Sequence, residues 1–138
     1  MKRKTVAIIE KASDGGYGIH CPELIGVALY GYGLTESEAK ENLYENMESI
    51  LEYYEEEDKP IPKVLNNGKL EFEYKYDFSG FFMTYPFFNV SELASMLGIN
   101  PSLMRKYKNG LAFASKEQRN KIESGIHSIS KSLSKVQF

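Results

Sequence analysis

Gly98 splits residues 89–110 into two short amphipathic helices, and no other stretch limits the fold as tightly. Asn89 offers a side-chain oxygen to the free amides of a helix start, and Glu92 stands at the third helical position. Gly98 ends that helix, because the residue after a helix commonly takes the left-handed conformation. Asn100-Pro101 opens the next helix in the order cap then proline, and Asn109-Gly110 closes it. Two short helices about a glycine-centred turn read as a helix-turn-helix, whose second helix enters the major groove of DNA. Ser115-Lys116-Glu117-Gln118 is another capping box. It opens a last helix with Ile122, Ile126, Ile129 and Leu133 on one face, a stripe that Val136 and Phe138 extend.

Charge divides the chain in the same sense. Residues 78–138 hold eight Lys/Arg against three Asp/Glu, and residues 1–77 hold nine against sixteen, so a net charge of −2 is a −7 half joined to a +5 half. The split implies two modules with different partners, 1–77 and 78–138, with a linker near 77–80 at Ser79-Gly80. In a chain of 138 residues each half is close to the lower limit for a self-sufficient core, so a homodimer or higher homo-oligomer is expected. The single cysteine excludes an intramolecular disulfide. Cys21, His20 and His127 are too few for a structural zinc, and no metal site is expected. The apolar run Val6-Ala7-Ile8-Ile9 is far shorter than a signal or membrane span, so the expectation is a cytoplasmic protein with no membrane partner.

In the front half, Lys4 to Glu10 and Gly16 to Cys21 read as an antiparallel pair about the turn Asp14-Gly15-Gly16. Val27 to Tyr32 reads as a third strand. Thr35-Glu36-Ser37-Glu38 is a capping box, and Ala39, Leu43, Met47, Ile50, Leu51 and Tyr54 then recur at helical spacing until Lys59-Pro60-Ile61-Pro62 stops them. Leu70, Phe72, Tyr74 and Tyr76 alternate with charged residues as a fourth strand. The expected fold class is α+β, a βββαβ domain followed by an all-α helix-turn-helix domain. Phe81 to Phe88 fits either a short buried helix, capped by Ser79 and stopped by Pro86, or an extended connector; the helix is preferred.

Met104 and Tyr107 point inward on the second helix of the pair, leaving Ser102, Arg105, Lys106 and Lys108 for solvent or a groove. Arginine reads guanine edges in bidentate fashion and lysine neutralises phosphate, so DNA is favoured over a plain solvated face. From Thr35 to Asp58 there are ten acids and one base, Lys40. A solvated face accounts for these by themselves. Gly31-Tyr32-Gly33 is no phosphate loop, since Glu36 occupies the third glycine position and repels anions.

Residues 89–134 resemble the Cro/phage-repressor class of DNA-binding domain. That resemblance implies Pro101, Ser102, Leu103, Arg105 and Lys106 toward the groove, and Asn89, Ser91 and Asn109 toward phosphates. The front half resembles the HicB antitoxin family in Asp14-Gly15-Gly16-Tyr17, Pro22-Glu23-Leu24, Gly26 and Thr35-Glu36-Ser37-Glu38-Ala39. Ile25 and Val27 depart from the family's usual Pro and Cys. The resemblance implies a front domain similar to a partial RNase H fold, a HicA-like ribonuclease toxin as protein partner, and repression of the chain's own operon through operator DNA. With it, the acidic residues Glu41, Glu45, Glu48 and Glu52 become a docking surface for a basic toxin. No cofactor and no catalytic residue is expected. The rival readings are a metal-dependent nuclease of RNase H type, for which Glu10, Asp14 and Glu23 would have to converge, and a repressor responsive to a small molecule, which would need an enclosed apolar pocket.

Overall fold

Thr5, Ala7 and Ile9 are buried and alternate with more exposed neighbours, and this period of two makes Arg3–Lys11 (β1) a strand with one core face. The computed structural model describes residues 1–138 as two compact units, Met1–Thr84 and Tyr85–Phe138. In the first unit β1 pairs antiparallel with Tyr17–His20 (β2) across the expected turn, where Gly15 takes a positive φ and the Asp14 carboxylate accepts from the Gly16 amide at 3.1 Å. Tyr30–Gly33 (β3) pairs antiparallel with β2. The helix Glu36–Glu56 (α1) then crosses over to Leu70–Tyr76 (β4), which runs parallel to β1. The sheet order is β3-β2-β1-β4, so the class is α+β with a mixed sheet.

The third strand starts at Tyr30 and not at Val27, because the preceding loop turns Leu24 and Leu29 into the core. The capping box forms with one change. The Thr35 hydroxyl accepts from the Glu38 amide, but the Glu38 carboxylate accepts from Leu34, one residue before the cap. Ala39, Leu43 and Met47 bury the inner face of α1. Gly31 and Gly33 let it sit close, since a Cβ on either would collide with the α1 backbone around Glu38, Ala39 and Leu43. Two α1 side chains finish the β3 edge: Asn42 Oδ1 accepts from the Tyr32 amide at 2.9 Å, and Asn46 Nδ2 donates to the Tyr30 carbonyl at 2.7 Å. A 3-10 segment at Lys63–Gly68, which sequence patterning does not mark, plugs the core with Leu65.

The helix preferred for the aromatic stretch exists but lies earlier, at Phe78–Thr84 (α2). Asp77 caps it, accepting from the Gly80 amide at 2.9 Å and the Ser79 hydroxyl at 2.7 Å. Ser79 is buried and its oxygen accepts from the Lys11 amide. Gly80 lies against the Ile9 carbonyl, where a Cβ would not fit. Residues 77–80 are therefore a packed part of the first unit and not a linker, and the division falls at Thr84–Tyr85. The uncharged segment 78–84 leaves the charge partition unaltered.

The second unit comprises Val90–Leu97 (α3), Pro101–Lys108 (α4) and Lys116–Leu133 (α5), with Val90, Leu93, Ala94, Ile99, Met104, Tyr107, Ala114 and Ile122 buried. Along the α5 stripe burial fades: Ile126 and Ile129 are half-buried, and Leu133, Val136 and Phe138 are exposed. No helix is long and apolar enough to cross a membrane.

Gly80→Ala should destabilise the first unit by about 1–3 kcal/mol through overpacking against the β1 backbone. Urea unfolding checks this. A chain ending at Thr84 should unfold cooperatively in urea, whereas one ending at Asp77, which lacks the Ser79 and Gly80 contacts, should unfold at lower urea.

Candidate functional site

The basic candidate face is built on α4 and aligned by caps that the sequence dictates. Asn89 accepts from the Glu92 amide, and Asn100 accepts from the Ser102 and Leu103 amides at 2.8 and 3.2 Å, so both helices start where their asparagines stand. Between them Gly98 takes φ 69° and the Ile99 amide returns to the Ala94 carbonyl, a left-handed termination that swings the chain into α4. Met104 and Tyr107 anchor one side of α4 in the core. Ser102, Arg105, Lys106 and Asn109, spaced at three and four residues, form the exposed side, with Pro101 and Leu103 half-buried at its flanks. Lys108 is exposed as well, and the three bases in the last turn suit the negative helix terminus.

Ser91 and Arg105 come together: an Arg105 Nη1 donates to Ser91 Oγ at 2.8 Å, tying the start of α3 to the middle of α4. The contact uses one guanidinium nitrogen, and Arg105 itself is exposed. The Asn89 Oδ1 is committed to its cap, which leaves its Nδ2 and the helix start beside it for an anion. Sequence reasoning missed the brace from α5, in which Lys121 Nζ donates to the Gly98 carbonyl at 3.3 Å. It also missed Gly125, where a Cβ would strike Leu97. A glycine in the middle of a helical pattern is the signal that would have found that close approach.

On the first unit, Glu41, Glu45, Glu48 and Glu52 are all exposed and follow one another along one face of α1. None takes part in an ion pair of this structure; the three that form are Glu10–His20, Glu36–Lys40 and Glu73–Lys75. The stripe is thus an uncompensated negative surface, on the side of α1 opposite the face that buries Ala39 and Leu43.

The carboxylates named for a nuclease do not converge. Glu10 lies 3.3 Å from His20 Nδ1, and its pKa is raised by burial, against the opposing influence of His20 and with that of Asp77. Asp14 accepts from the Tyr32 hydroxyl at 2.5 Å, which holds its carboxyl below the ordinary value. Glu23 accepts from the Val6 amide at 2.6 Å and from Thr5 at 3.3 Å, occupying a β1 edge that β2 does not reach. No group of three His, Cys, Asp or Glu residues is placed to hold a metal ion. A depression of about 290 Å³ is lined by Gly26, Val27, Ala28, Ser49, Ile50, Tyr53 and Tyr54, and several of these are exposed.

No family model and no solved structure matches the chain. It is 46% identical over 52 residues to UPF0150 protein ssl0738 of Synechocystis sp. (strain ATCC 27184 / PCC 6803 / Kazusa), a match that covers 38% of this chain and 69% of that protein. The chain belongs to the UPF0150 family. The match leaves most of the chain outside it, so the UPF0150 relationship does not by itself account for two units of opposite charge.

Cys21 is buried and its thiol is pushed up to about 11, first by burial and then by the charge of Glu23. It should therefore stay protonated and unreactive at neutral pH. Iodoacetamide at pH 7.5 should leave the folded UPF0150 chain unmodified over a period that fully labels it in urea, as read by intact mass.

Proposed function

We propose that this chain is a HicB-like antitoxin of a type II toxin–antitoxin system, which binds a basic HicA-like ribonuclease toxin through its first unit and operator DNA through its second. The observation that supports the reading is one chain, with a UPF0150 relative, that joins an acidic unit to a separate basic unit whose two short capped helices meet at Gly98. On the first unit the unpaired stripe Glu41, Glu45, Glu48 and Glu52 offers a field that attracts a positively charged partner and speeds its capture. On the second, Arg105 is directed by Ser91 and flanked by Ser102 and Lys106, the side chains suited to base edges and phosphates. Asn89 and Asn109 bracket this surface at the helix ends. The chain works in the cytoplasm as a homodimer or higher homo-oligomer, with Leu133, Val136 and Phe138 as apolar surface for self-association in the second unit. Repression of its own operon follows from toxin and operator engaging different units.

Arg105→Ala should weaken operator binding by about 1–3 kcal/mol if it contacts a base, while Lys106→Ala should lower affinity evenly and reduce the salt slope by about one. Fluorescence anisotropy over a salt series separates the two, and unchanged affinity in both variants would refute the recognition-helix assignment. Reversal of Glu41, Glu45, Glu48 and Glu52 to Lys should slow toxin capture most at low salt. Stopped-flow association with the toxin, and growth rescue in cells expressing it, check that arm.

A further inference from the structure

The last turns of α1 and the loop before β3 flank the depression of about 290 Å³. Both walls are fixed. In the loop the Leu24 amide donates to the Cys21 carbonyl and the Val27 amide to the Leu24 carbonyl, and buried Leu24 and Leu29 hold these turns on the core. On the helix the Tyr53 and Tyr54 rings meet edge to face, 5.4 Å between centroids. The Ser49 hydroxyl donates to the Glu45 carbonyl and the Tyr53 hydroxyl accepts from Lys59 Nζ at 3.2 Å, so two of the three hydroxyls in the lining are already partnered. What the depression offers is therefore largely apolar. Ile25 beside it is 84% exposed and Tyr53 49%. At this size, and with so open a rim, it suits one side chain of a protein surface better than a small molecule, whose pockets run to about 300–1,000 Å³ and bury most of the ligand.

Charge selects the partner. Glu45 and Glu52 stand four and three residues from Ser49, and Glu56 and Glu57 three and four from Tyr53, so all four border the depression on the helix surface. With every charge from Glu45 to Lys63 counted there are seven acids against Lys59 and Lys63, and the loop from Pro22 to Leu29 adds Glu23 and no base. Lys59 shows what such a rim attracts: its ammonium lies 5.3 Å from the centre of the Tyr53 ring. We propose that the depression seats one large apolar side chain of the basic toxin, between arginine or lysine residues that meet the acidic rim. This seat rests on the toxin-binding reading and supplies the anchor that an exposed stripe lacks. Exposed charges speed encounter and contribute little to holding, whereas an apolar side chain desolvated in a pocket holds a complex together.

Nuclear magnetic resonance titration of the isotope-labelled full chain at low salt tests the seat with three capped peptides: Arg-Arg-Leu-Arg-Arg, the same peptide with Ser at its centre, and the leucine peptide with Glu in place of every Arg. The leucine peptide should shift the amides of Val27, Ala28 and Ser49 and saturate at a several-fold lower concentration than the serine peptide, while the glutamate peptide should not bind. Ala28→Trp and Ser49→Trp fill the depression from exposed positions. Each, with parental circular dichroism, should abolish the preference for leucine. Equal affinity for the leucine and serine peptides, equal binding of the glutamate peptide, no saturable binding, or a leucine preference that survives in both filled variants would overturn the proposal. Growth of cells expressing the toxin separates the two levels. Rescue that both filled variants keep undiminished overturns the seat and leaves the toxin-binding reading standing, whereas a parental chain that gives no rescue overturns that reading and the seat with it.

Discussion

The first unit depends on the close seating of α1 on β3. Gly31 and Gly33 present no side chains toward the helix, so its backbone approaches the strand within a distance that any Cβ would prohibit. From that approach the rest follows. Leu43 becomes fully buried, Asn42 and Asn46 reach the strand's outer hydrogen-bonding groups, and the opposite face of α1 points its glutamates to solvent. A larger residue at either glycine would lift the helix and disturb core, edge and acidic stripe at once.

Most of the helices were legible because their ends are written in local chemistry. Thr35, Asn89, Asn100 and Ser115 each accept from an amide two or three residues on, as the caps suggested, and Gly98 closes α3 in the left-handed conformation. The alternation from Leu70 to Tyr76 likewise gave β4. What escaped depended on distance along the chain. Asp77 caps α2 by contacts as local as those of the other caps, but Ser79 reads as the cap until its oxygen is seen serving Lys11, 68 residues away. The boundary expected at Ser79-Gly80 fell for the same reason: a serine and a glycine mark a linker in sequence, but here their small size permits tight packing.

The candidate surfaces were legible to a different degree. Helical spacing alone placed Ser102, Arg105 and Lys106 outside and Met104 and Tyr107 inside, because an eight-residue helix with two anchors has little freedom of rotation. The union of Arg105 with Ser91 was not accessible, since it joins two helices through a turn whose geometry must be known first. Asn42 and Asn46 were the least visible. Within a helical pattern an asparagine reads as polar surface, and only the strand beside it reveals what it is bound to.

That pair carries a consequence for how the chain can vary in length. Asn42 and Asn46 meet fixed points on β3, and the path between strand and helix is only Leu34 and Thr35. One residue inserted there would rotate α1 by roughly 100° relative to the strand, carrying the amides off their partners and the glutamates toward the sheet. Most surface loops tolerate insertion, but this one acts as a gauge block whose length sets the phase of the helix. Relatives of this chain that keep the asparagine pair should keep that spacing too.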